Sequence, residues 1–468
     1  MYDLLLKGAH VVDPLNGVNG VNDVAVEGGK IAAVGPDLTG PAREVIDVSG
    51  WVLQPGIIDS HVHLGSMWGS PYGPRMLAMN GVTTCLDMAG PLDDILEKTP
   101  QYGAGLNTAI LQFASPPFTF KTNAPSKAEM VELIDKSLAE GALGVKLLGG
   151  HYPLTPEVSS TLIKTALERR AYVAWHAGTS AHGSNLEGMI EAVQMADGYP
   201  LHLAHINAYC RGAIKNEIDE ARTAVELLNA NPNIFSESYI SPKNGTRLTC
   251  DPDGKIQSKV TGNCLRHFGF TEDRDGVRKA LLAHKAFAVY DAGGYSDLMT
   301  GEDAVKLWES HNTDVGGSFN INPPIPRILL AQVKRPDGAF VVDAISTDGG
   351  CIPRNVILSQ GLSLVKLDVL TLTEFAQKTS LNPARMLRLT TKGHLSVGAD
   401  ADITIYDYAT QTPKMSFVEG RKVLFKGEVL GKNANIICTE RGQKAIEARG
   451  LKAIVVDPGL PVDRVKAL

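Results

Sequence analysis

From Ile57 onward the sequence alternates between short apolar segments and longer amphipathic segments, and this alternation limits the possible folds more than any other feature. Strands that alternate with helices are typical of parallel sheets, and about eight such units close into a (β/α)8 barrel. The predicted strands are Ile57–His63, Val82–Leu86, Ala109–Phe113, Leu143–Leu147, Tyr172–Trp175, Leu201–Ala204, Ile234–Ser236 and Val341–Ser346. The predicted helices include Lys127–Glu140, Pro156–Arg169, Leu186–Met195 and Ala213–Asn229. The expected fold class is therefore α/β, with a (β/α)8 TIM barrel.

The two ends of the chain follow a different pattern. Residues 1–53 contain short strand-like segments separated by Asp-Pro, Asn-Gly and Gly-Gly turns, and a similar composition returns near the end. We expect both ends to fold together into one small β-sandwich domain beside the barrel. The predicted domains are residues 1–53 and 394–468 for the β-sandwich and its tail, and residues 54–393 for the barrel.

The spacing of the barrel units is interrupted after the seventh predicted strand. Residues 239–340 are too many for one connection between a strand and a helix, and Cys250–Ile256 has the composition of a hairpin turn. An insertion at the mouth of a barrel is more often a lid or a subunit contact than a disordered segment.

Composition narrows the functional class. The chain has 468 residues, of which 44% are apolar and 21% are charged, and its net charge is −6 without long charge runs. These values predict a globular enzyme with neither a nucleic-acid nor a membrane partner. The start lacks the features of a signal peptide, the longest apolar runs are strand-sized, and the six cysteines contain no Cys-x-x-Cys pair. We therefore expect a cytoplasmic location and reduced thiols.

Two histidines on the first barrel strand indicate a metal site. His61 and His63 are two residues apart, so on a strand their side chains project from the same face. Neutral imidazole nitrogens are good ligands for zinc and related metals. A His-x-His pair alone is weak evidence, because such pairs are common beside apolar strands.

Four further candidates stand at the ends of later predicted strands. They are Lys146, His176, His205 and Asp348. In a barrel the carboxyl ends of the strands face the catalytic mouth, so residues at these positions are expected to meet. Their occurrence together, all at strand ends, predicts a metal centre much more strongly than any one of them.

These motifs resemble the amidohydrolase superfamily of metal-dependent hydrolases, in its binuclear branch with a carboxylated lysine. The similarity extends over nearly the whole chain and is carried by Gly56–His63, Gly81–Thr84, Asn382–Ala384 and Gly398–Asp402. It implies that His61, His63 and Asp348 bind one metal ion and that His176 and His205 bind the other. It also implies that Lys146 carries a carbamate derived from CO2 and bridges both ions.

The chemistry of these groups agrees with the resemblance. A lysine ammonium cannot bind a metal, whereas a carbamate is anionic and offers two oxygens. Two divalent ions, zinc above all, or manganese, cobalt or iron, would share a hydroxide that is available at neutral pH. Asp348 would orient this nucleophile, accept its proton and deliver the proton to the leaving nitrogen.

Several residues near these strand ends are candidates for contact with a substrate. Tyr152 follows Lys146 by six residues and is similar to an oxyanion-stabilising tyrosine of hydantoinases, which stands one residue earlier; His151 is its rival. His182 lies in a loop of small residues after His176. Arg211 and Arg354 each follow a predicted ligand by six residues and would suit a substrate carboxylate.

Three groups within the superfamily compete as relatives. Cyclic-amide hydrolases, such as hydantoinase, dihydroorotase and allantoinase, use the carboxylated lysine that Lys146 offers. N-acyl-D-amino-acid deacylases resemble the chain at Gly141–Gly144, but their metal-binding cysteine does not align, since only Cys85 stands nearby. The amidohydrolase-like subunit of formylmethanofuran dehydrogenase resembles Leu201–Asn207 and Asp13–Gly17.

Two other classes fit less well. Mononuclear deaminases lack the bridging lysine, and non-catalytic scaffolds lose ligands that this chain retains. The sequence therefore predicts a homo-oligomeric hydrolase that cleaves a C–N amide bond of a small molecule, in a cyclic amide or ureide. The alternative substrate is an N-acyl amino acid.

Overall fold

The computed structural model describes residues 1–462 and 464, and its first strands form part of a sheet built from both ends of the chain. The first strand is longer than predicted, because two short predicted segments join into one. The strands are β1 (Tyr2–Asp13), β2 (Val18–Glu27), β3 (Lys30–Gly35), β4 (Ala42–Asp47) and β5 (Val52–Pro55). Their apolar faces pack on a core that includes Leu6, Val11 and Val24.

The barrel begins directly after β5, and strands then alternate with helices as predicted. The strands are β6 (Ile57–His63), β7 (Val82–Ala89), β8 (Ala104–Ala114), β9 (Gly144–Leu148), β10 (Tyr172–His176), β11 (Leu201–Leu203) and β12 (Ile234–Tyr239). The helices are α1 (Gly73–Met79), α2 (Leu92–Tyr102), α3 (Lys127–Glu140), α4 (Pro156–Glu168), α5 (Leu186–Ala196) and α6 (Glu217–Ala230). The strand β6 is buried at every position, as expected when helices cover a parallel sheet.

The predicted insertion after β12 is an ordered unit with its own core. Its elements are β13 (Thr246–Arg247), α7 (Lys259–His267), α8 (Arg274–Leu282), β14 (Ala286–Asp291), β15 (Ser296–Met299), α9 (Glu302–Ser310), β16 (Gly316–Phe319) and α10 (Pro324–Gln332). The strands form an antiparallel sheet in the order β13-β16-β14-β15. Leu265, Trp308 and Phe319 are in its apolar core. An antiparallel bridge between Cys250 and Ile256 confirms the predicted hairpin.

One short segment closes the barrel. It contains β17 (Ala344–Ser346), which pairs in parallel with β12, and β18 (Gly349–Gly350), which pairs in parallel with β6. The sheet order is β17-β12-β11-β10-β9-β8-β7-β6-β18. Because β17 and β18 belong to the same segment, the sheet closes as an eight-stranded barrel, which confirms the predicted fold class.

The chain then returns to the first sheet. The helices α11 (Ile357–Lys366), α12 (Leu372–Ala376) and α13 (Asn382–Met386), with a π-helical turn at Gln377–Leu381, lead to β19 (Ile403–Asp407), β20 (Thr412–Val418), β21 (Arg421–Phe425) and β22 (Glu428–Val429). The sheet order is β22-β21-β20-β19-β5-β1-β2-β3, with β4 beside β1. Strands from both chain ends therefore share one sheet, as the sequence indicates.

The last described elements extend the barrel sheet. They are β23 (Asn433–Cys438), α14 (Gln443–Ala448) and β24 (Lys452–Val455). β23 pairs in parallel with the first half of β8, from Ala104 to Ala109. This edge is open because β9 pairs with β8 only from Leu111 onward. The tail, for which the sequence suggested no role, thus covers an edge that would otherwise expose unpaired backbone groups.

The six cysteines are buried free thiols, in agreement with the sequence-based expectation. In the part of the chain that the structure describes, no helix combines the length and the apolar character needed to span a bilayer.

The motif Gly398–Asp402 joins the small sheet to the barrel through a buried ion cluster. Lys392 Nζ lies 2.8 Å from Asp402 Oδ2 and 3.0 Å from Asp400 Oδ2. Asp402 also accepts a hydrogen bond of 2.7 Å from Asn107 on β8. Because Lys392 is only 2% exposed, this cluster depends on mutual compensation of charge.

We predict that Lys392→Met destabilises the protein, because it leaves the buried carboxylate of Asp402 without its cation and leaves Asp400 with Lys30 alone. Breaking a buried ion pair costs about 3–5 kcal/mol, which a denaturant titration can measure as a lower free energy of unfolding. The control is Lys414→Met, which removes a partly exposed ion pair with Asp407 and should cost less than about 1 kcal/mol. Equal losses in the two variants would contradict the structural role of the cluster.

Candidate metal centre

Side chains from five barrel strands converge at the carboxyl end of the barrel. His61 and His63 project from the same face of β6. The other members are Lys146 on β9, His176 at the end of β10, His205 directly after β11 and Asp348 between β17 and β18. All six line one cavity. The structure therefore brings together every residue that the sequence indicates as a metal ligand.

The polar atoms form two adjacent groups. Asp348 Oδ1 lies 2.9 Å from His63 Nε2 and 3.4 Å from His61 Nε2. The ligand atoms of these three residues lie within 4.8 Å of one another. In the second group, His176 Nδ1 lies 3.0 Å from His205 Nε2. The groups are in contact, since the rings of His61 and His205 stack with centroids 5.0 Å apart.

Two members have a backbone conformation that residues other than glycine seldom adopt. The φ angles of His205 and Asp348 are 48° and 52°, in the left-handed region. The strain at Asp348 is offset by its N–H group, which donates to the His61 carbonyl at 2.8 Å. Strained residues concentrate at functional sites, where the surrounding structure holds them in place.

Burial keeps the imidazoles of His61, His176 and His205 neutral. It lowers the pKa of His61 and His176 well below the ordinary value, and it lowers the pKa of His205 to about 3. Positive charge on neighbouring groups acts in the same direction on His61 and His176. A neutral imidazole has a free lone pair, which is the form that binds a metal ion. The donor atoms thus have the chemistry that a divalent cation needs.

The carboxylate of Glu237 on β12 orients His61. Glu237 is completely buried, accepts a hydrogen bond of 2.7 Å from His61 Nδ1 and accepts another of 2.8 Å from the His205 backbone N–H. The Ser346 hydroxyl donates to it as well. With the proton of His61 on Nδ1, the Nε2 lone pair faces Asp348 and the cavity. A carboxylate behind a histidine is a common support of metal sites.

Lys146 is almost completely buried, which is unfavourable for a charged group. It is 1% exposed, and its Nζ lies 2.8 Å from the sulfur of Met88 on β7. Burial lowers the pKa of Lys146 to about 8, although Glu237 and Asp348 oppose this effect. The amine is therefore much more readily deprotonated than an exposed lysine, and a neutral amine is the form that can react with CO2.

Asp348 is ionised and is held by Arg354. Burial alone would raise the pKa of Asp348, but the Arg354 guanidinium and His63 hold it well below its usual range. Arg354 Nη2 lies 2.6 Å from Asp348 Oδ2, and Arg354 Nε donates to the Asp348 carbonyl at 2.5 Å. Its Nη1 donates to the Lys243 carbonyl at 3.1 Å. The geometry thus gives Arg354 the role of orienting Asp348, and since Arg354 also lines the cavity, its predicted contact with a substrate carboxylate stays a prediction.

A cavity of about 540 Å³ lies above these groups. Trp68 forms one wall, with its ring 4.4 Å from that of His63. Tyr239 and residues of α7 in the insertion also line the cavity. The insertion therefore forms part of the wall at the mouth of the barrel, and its role as a lid or a subunit contact stays a prediction.

The structure separates the two rival residues after β9. His151 lines the cavity, with its ring 5.3 Å from that of His176, and burial lowers the pKa of His151 to about 4. Tyr152 is not among the lining residues, and its ring packs against Phe118 at 5.1 Å. The position that faces the metal ligands thus belongs to His151, because the turn after β9 directs the tyrosine outward.

The other predicted contacts also differ in position. His182 lies outside the cavity, where its exposed ring pairs with Glu191 at 3.0 Å. The loop after His176 carries it outward, while Ser184 of the same loop bonds His176 Nε2 at 2.7 Å. Arg211 does line the cavity, as predicted.

Sequence reasoning missed Glu237, Met88 and Trp68. Glu237 follows the predicted end of its strand by one residue, so a slightly longer strand prediction would have placed it among the other strand-end candidates. Met88 and Trp68 carry no signal in the sequence, because an apolar residue beside a strand usually belongs to the core.

Comparisons with known proteins agree with this architecture. A model of the amidohydrolase family matches residues 363–430. A dihydroorotase of Trichlorobacter lovleyi is 28% identical over 445 residues, which cover 87% of this chain and 90% of the relative.

Solved structures show the same fold. A D-aminoacylase structure covers 93% of this chain and 99% of its own, with a TM-score of 0.66 and 18% identity. A D-hydantoinase structure covers 92% of this chain and 97% of its own, with a TM-score of 0.58 and 15% identity. A further D-aminoacylase structure, with 18% identity, a TM-score of 0.63 and the same coverage as the first, concerns a binuclear metal centre. With its barrel, its strand-end ligands and these relatives, the chain is similar to the amidohydrolase superfamily, and these similarities indicate a hydrolase that acts on carbon–nitrogen bonds other than peptide bonds.

Proposed function

We propose that this protein is a metal-dependent hydrolase that cleaves a C–N amide bond in a cyclic amide or ureide. The observation that carries the proposal is that four imidazoles, one buried lysine and one ionised carboxylate meet in a single cavity. The similarity to a dihydroorotase over most of both chains supports the cyclic substrate.

The residues present fit two divalent ions. His61, His63 and Asp348 would hold one ion, and His176 and His205 would hold the other. A carbamate on Lys146 would serve both, since it supplies the negative charge that an amine lacks. When bound, two such ions, with zinc favoured over manganese, cobalt or iron, lower the pKa of a water and polarise the substrate carbonyl.

The protein's own groups supply proton transfer and enclosure. Asp348 is ionised, so its carboxylate can accept a proton from water and pass it to the leaving nitrogen. Arg354 fixes the orientation of this carboxylate, because it contacts both the backbone carbonyl and the Oδ2 atom of Asp348. Trp68 and the insertion restrict access of bulk water, which strengthens electrostatic interactions within the cavity.

An N-acyl amino acid is the second candidate substrate. The D-aminoacylase fold supports it, because the similarity covers nearly the whole of both chains. The cytoplasmic location and the homo-oligomer remain predictions from the sequence.

We predict that two substitutions in the metal centre differ in their effect on metal content. Lys146→Ala should lose metal, because no group replaces the bridging carbamate. Asp348→Asn should retain metal at the other ligands but lose turnover, because the amide is a poor base. Elemental analysis and steady-state rates distinguish these outcomes, and a lysine variant with full metal and full activity would refute the bridging assignment.

We also predict that Glu237→Gln weakens metal binding about 10- to 100-fold, as loss of an outer partner of a histidine typically does. The measurement is competition with a chelator, followed by elemental analysis. Glu191→Gln is the matched control, since Glu191 pairs with exposed His182 outside the cavity. Unchanged affinity in Glu237→Gln would mean that His61 needs no carboxylate support.

The decisive test of function is a substrate panel with metal-loaded protein and Asp348→Asn as the blank. The panel contains hydantoin, dihydrouracil, dihydroorotate, allantoin, and N-acetyl and N-formyl amino acids of both hands. We expect ring opening of at least one cyclic member. Cleavage of acyl amino acids alone would favour the second candidate substrate. If the protein binds two metal ions but hydrolyses no member of the panel, both candidate substrates are wrong.

A further inference from the structure

We propose that the substrate carries a carboxylate near its scissile amide and that Arg211 binds this carboxylate. The inference rests on the proposed function and specifies its substrate class. Neutral cyclic amides would be poor substrates, whereas carboxylated ureides and N-acyl amino acids would be good ones.

Arg211 is a fixed cation without an anionic partner. Its Nε donates to Asn322 Oδ1 at 2.8 Å, and its Nη2 donates to the Tyr239 hydroxyl at 2.9 Å. Both partners are neutral and buried, with exposures of 5% and 1%. Within the described residues Arg211 forms no ion pair, and its Nη1 makes no hydrogen bond. A guanidinium held in this way retains donors for a planar anion.

The surrounding cavity has a positive charge that the protein does not compensate. The only carboxylate among its lining residues in the described chain is Asp348, which Arg354 already neutralises. Arg266 on the rim pairs with Glu272 at 2.6 Å. Lys259 at the start of α7 also lines the cavity and forms no ion pair with a described residue. An anionic ligand would therefore be favoured over a neutral one of the same shape.

Tyr239 connects Arg211 to the metal ligands. Its ring lies 6.2 Å from that of His205 and 4.9 Å from the Arg354 guanidinium, while its hydroxyl bonds Arg211. Tyr239 thus contacts both Arg211 and the ligand cluster, and all of these residues line the same cavity. A carboxylate bound by Arg211 would therefore lie in the cavity that also holds the metal ligands.

The insertion positions this arginine. Asn322 lies after β16, and its side-chain amide donates at 3.1 Å to the carbonyls of Ser241 and Lys243. The amide is therefore fixed with its oxygen toward Arg211. The insertion would then act as a specificity element as well as a cover.

The first test measures binding with ligands that cannot be hydrolysed. Levulinate has the shape of N-acetylglycine without its C–N bond, and hexane-2,5-dione is its neutral counterpart. Titration of metal-loaded protein should show levulinate binding about 10- to 100-fold more tightly. The difference should disappear in Arg211→Gln and persist in part in Arg211→Lys. Arg278→Gln is the matched control and should behave as wild type, because exposed Arg278 on α8 pairs with Glu309 and does not line the cavity.

The second test compares turnover within matched pairs. Dihydroorotate differs from dihydrouracil by a carboxylate, as does each N-acetyl amino acid from its amide. Arg211→Gln should raise KM for the carboxylated member by about 10- to 100-fold, with little effect on the neutral one. Thermal unfolding and metal content establish that the variant is folded and loaded.

The outcomes separate the inference from the proposed function. Equal affinity for levulinate and hexane-2,5-dione, or equal effects of Arg211→Gln on both members of a pair, would overturn the inference while hydrolysis stands. Levulinate binding that depends on Arg211, without turnover of any panel member, would support the inference and overturn the proposed reaction.

Discussion

The closure of the barrel by residues 344–350 is the interaction on which the site depends. This segment pairs with β12 on one side and β6 on the other, so it brings Asp348 beside His61 and His63. Backbone bonds of 2.8 Å from Asp348 to the His61 carbonyl and from Cys351 to the His63 carbonyl fix that register. The Thr347 hydroxyl adds a bond of 2.5 Å to the buried carboxylate of Asp59. The geometry of the metal ligands is thus a direct result of how the first and last barrel strands meet.

A second constraint is the number of charged and titratable groups that the barrel end buries. Desolvation disfavours the charged form of each group, which keeps His61, His176 and His205 neutral and raises the pKa of Asp59 to about 7. Such groups are tolerated because each has a defined partner, as Glu237 has in His61 and Asp348 has in Arg354. The site is therefore arranged before any ligand binds, which reduces the reorganisation that catalysis would require.

Much of the fold follows from the sequence, because the alternation of strands and helices is strongly periodic. The predicted helix Lys127–Glu140 has the observed bounds, since Ser126 and Glu129 form a capping box and Gly141 ends it with φ 113°. The ligands were predictable because each stands at a strand end. Contacts that depend on loops were not predictable from the sequence. Whether His151 or Tyr152 faces the cavity depends on one turn after β9. Arg354 reaches Asp348 through a loop, and the local sequence pattern does not encode the path of that loop. The pairing of the tail with β8 was also not predictable, because it depends on where β9 begins to pair.

The position of β23 has a consequence for how the chain acquires its structure. The open part of β8, formed by residues near position 104, is completed only by residues beyond position 432. The first sheet likewise waits for β19 to pair with β5. During synthesis, the early strands must remain with exposed edges until almost the entire chain has left the ribosome. Contacts of such long sequence separation slow folding and favour association between incomplete chains. Production of this protein should therefore depend on chaperones and on the rate of translation more than its final stability would suggest.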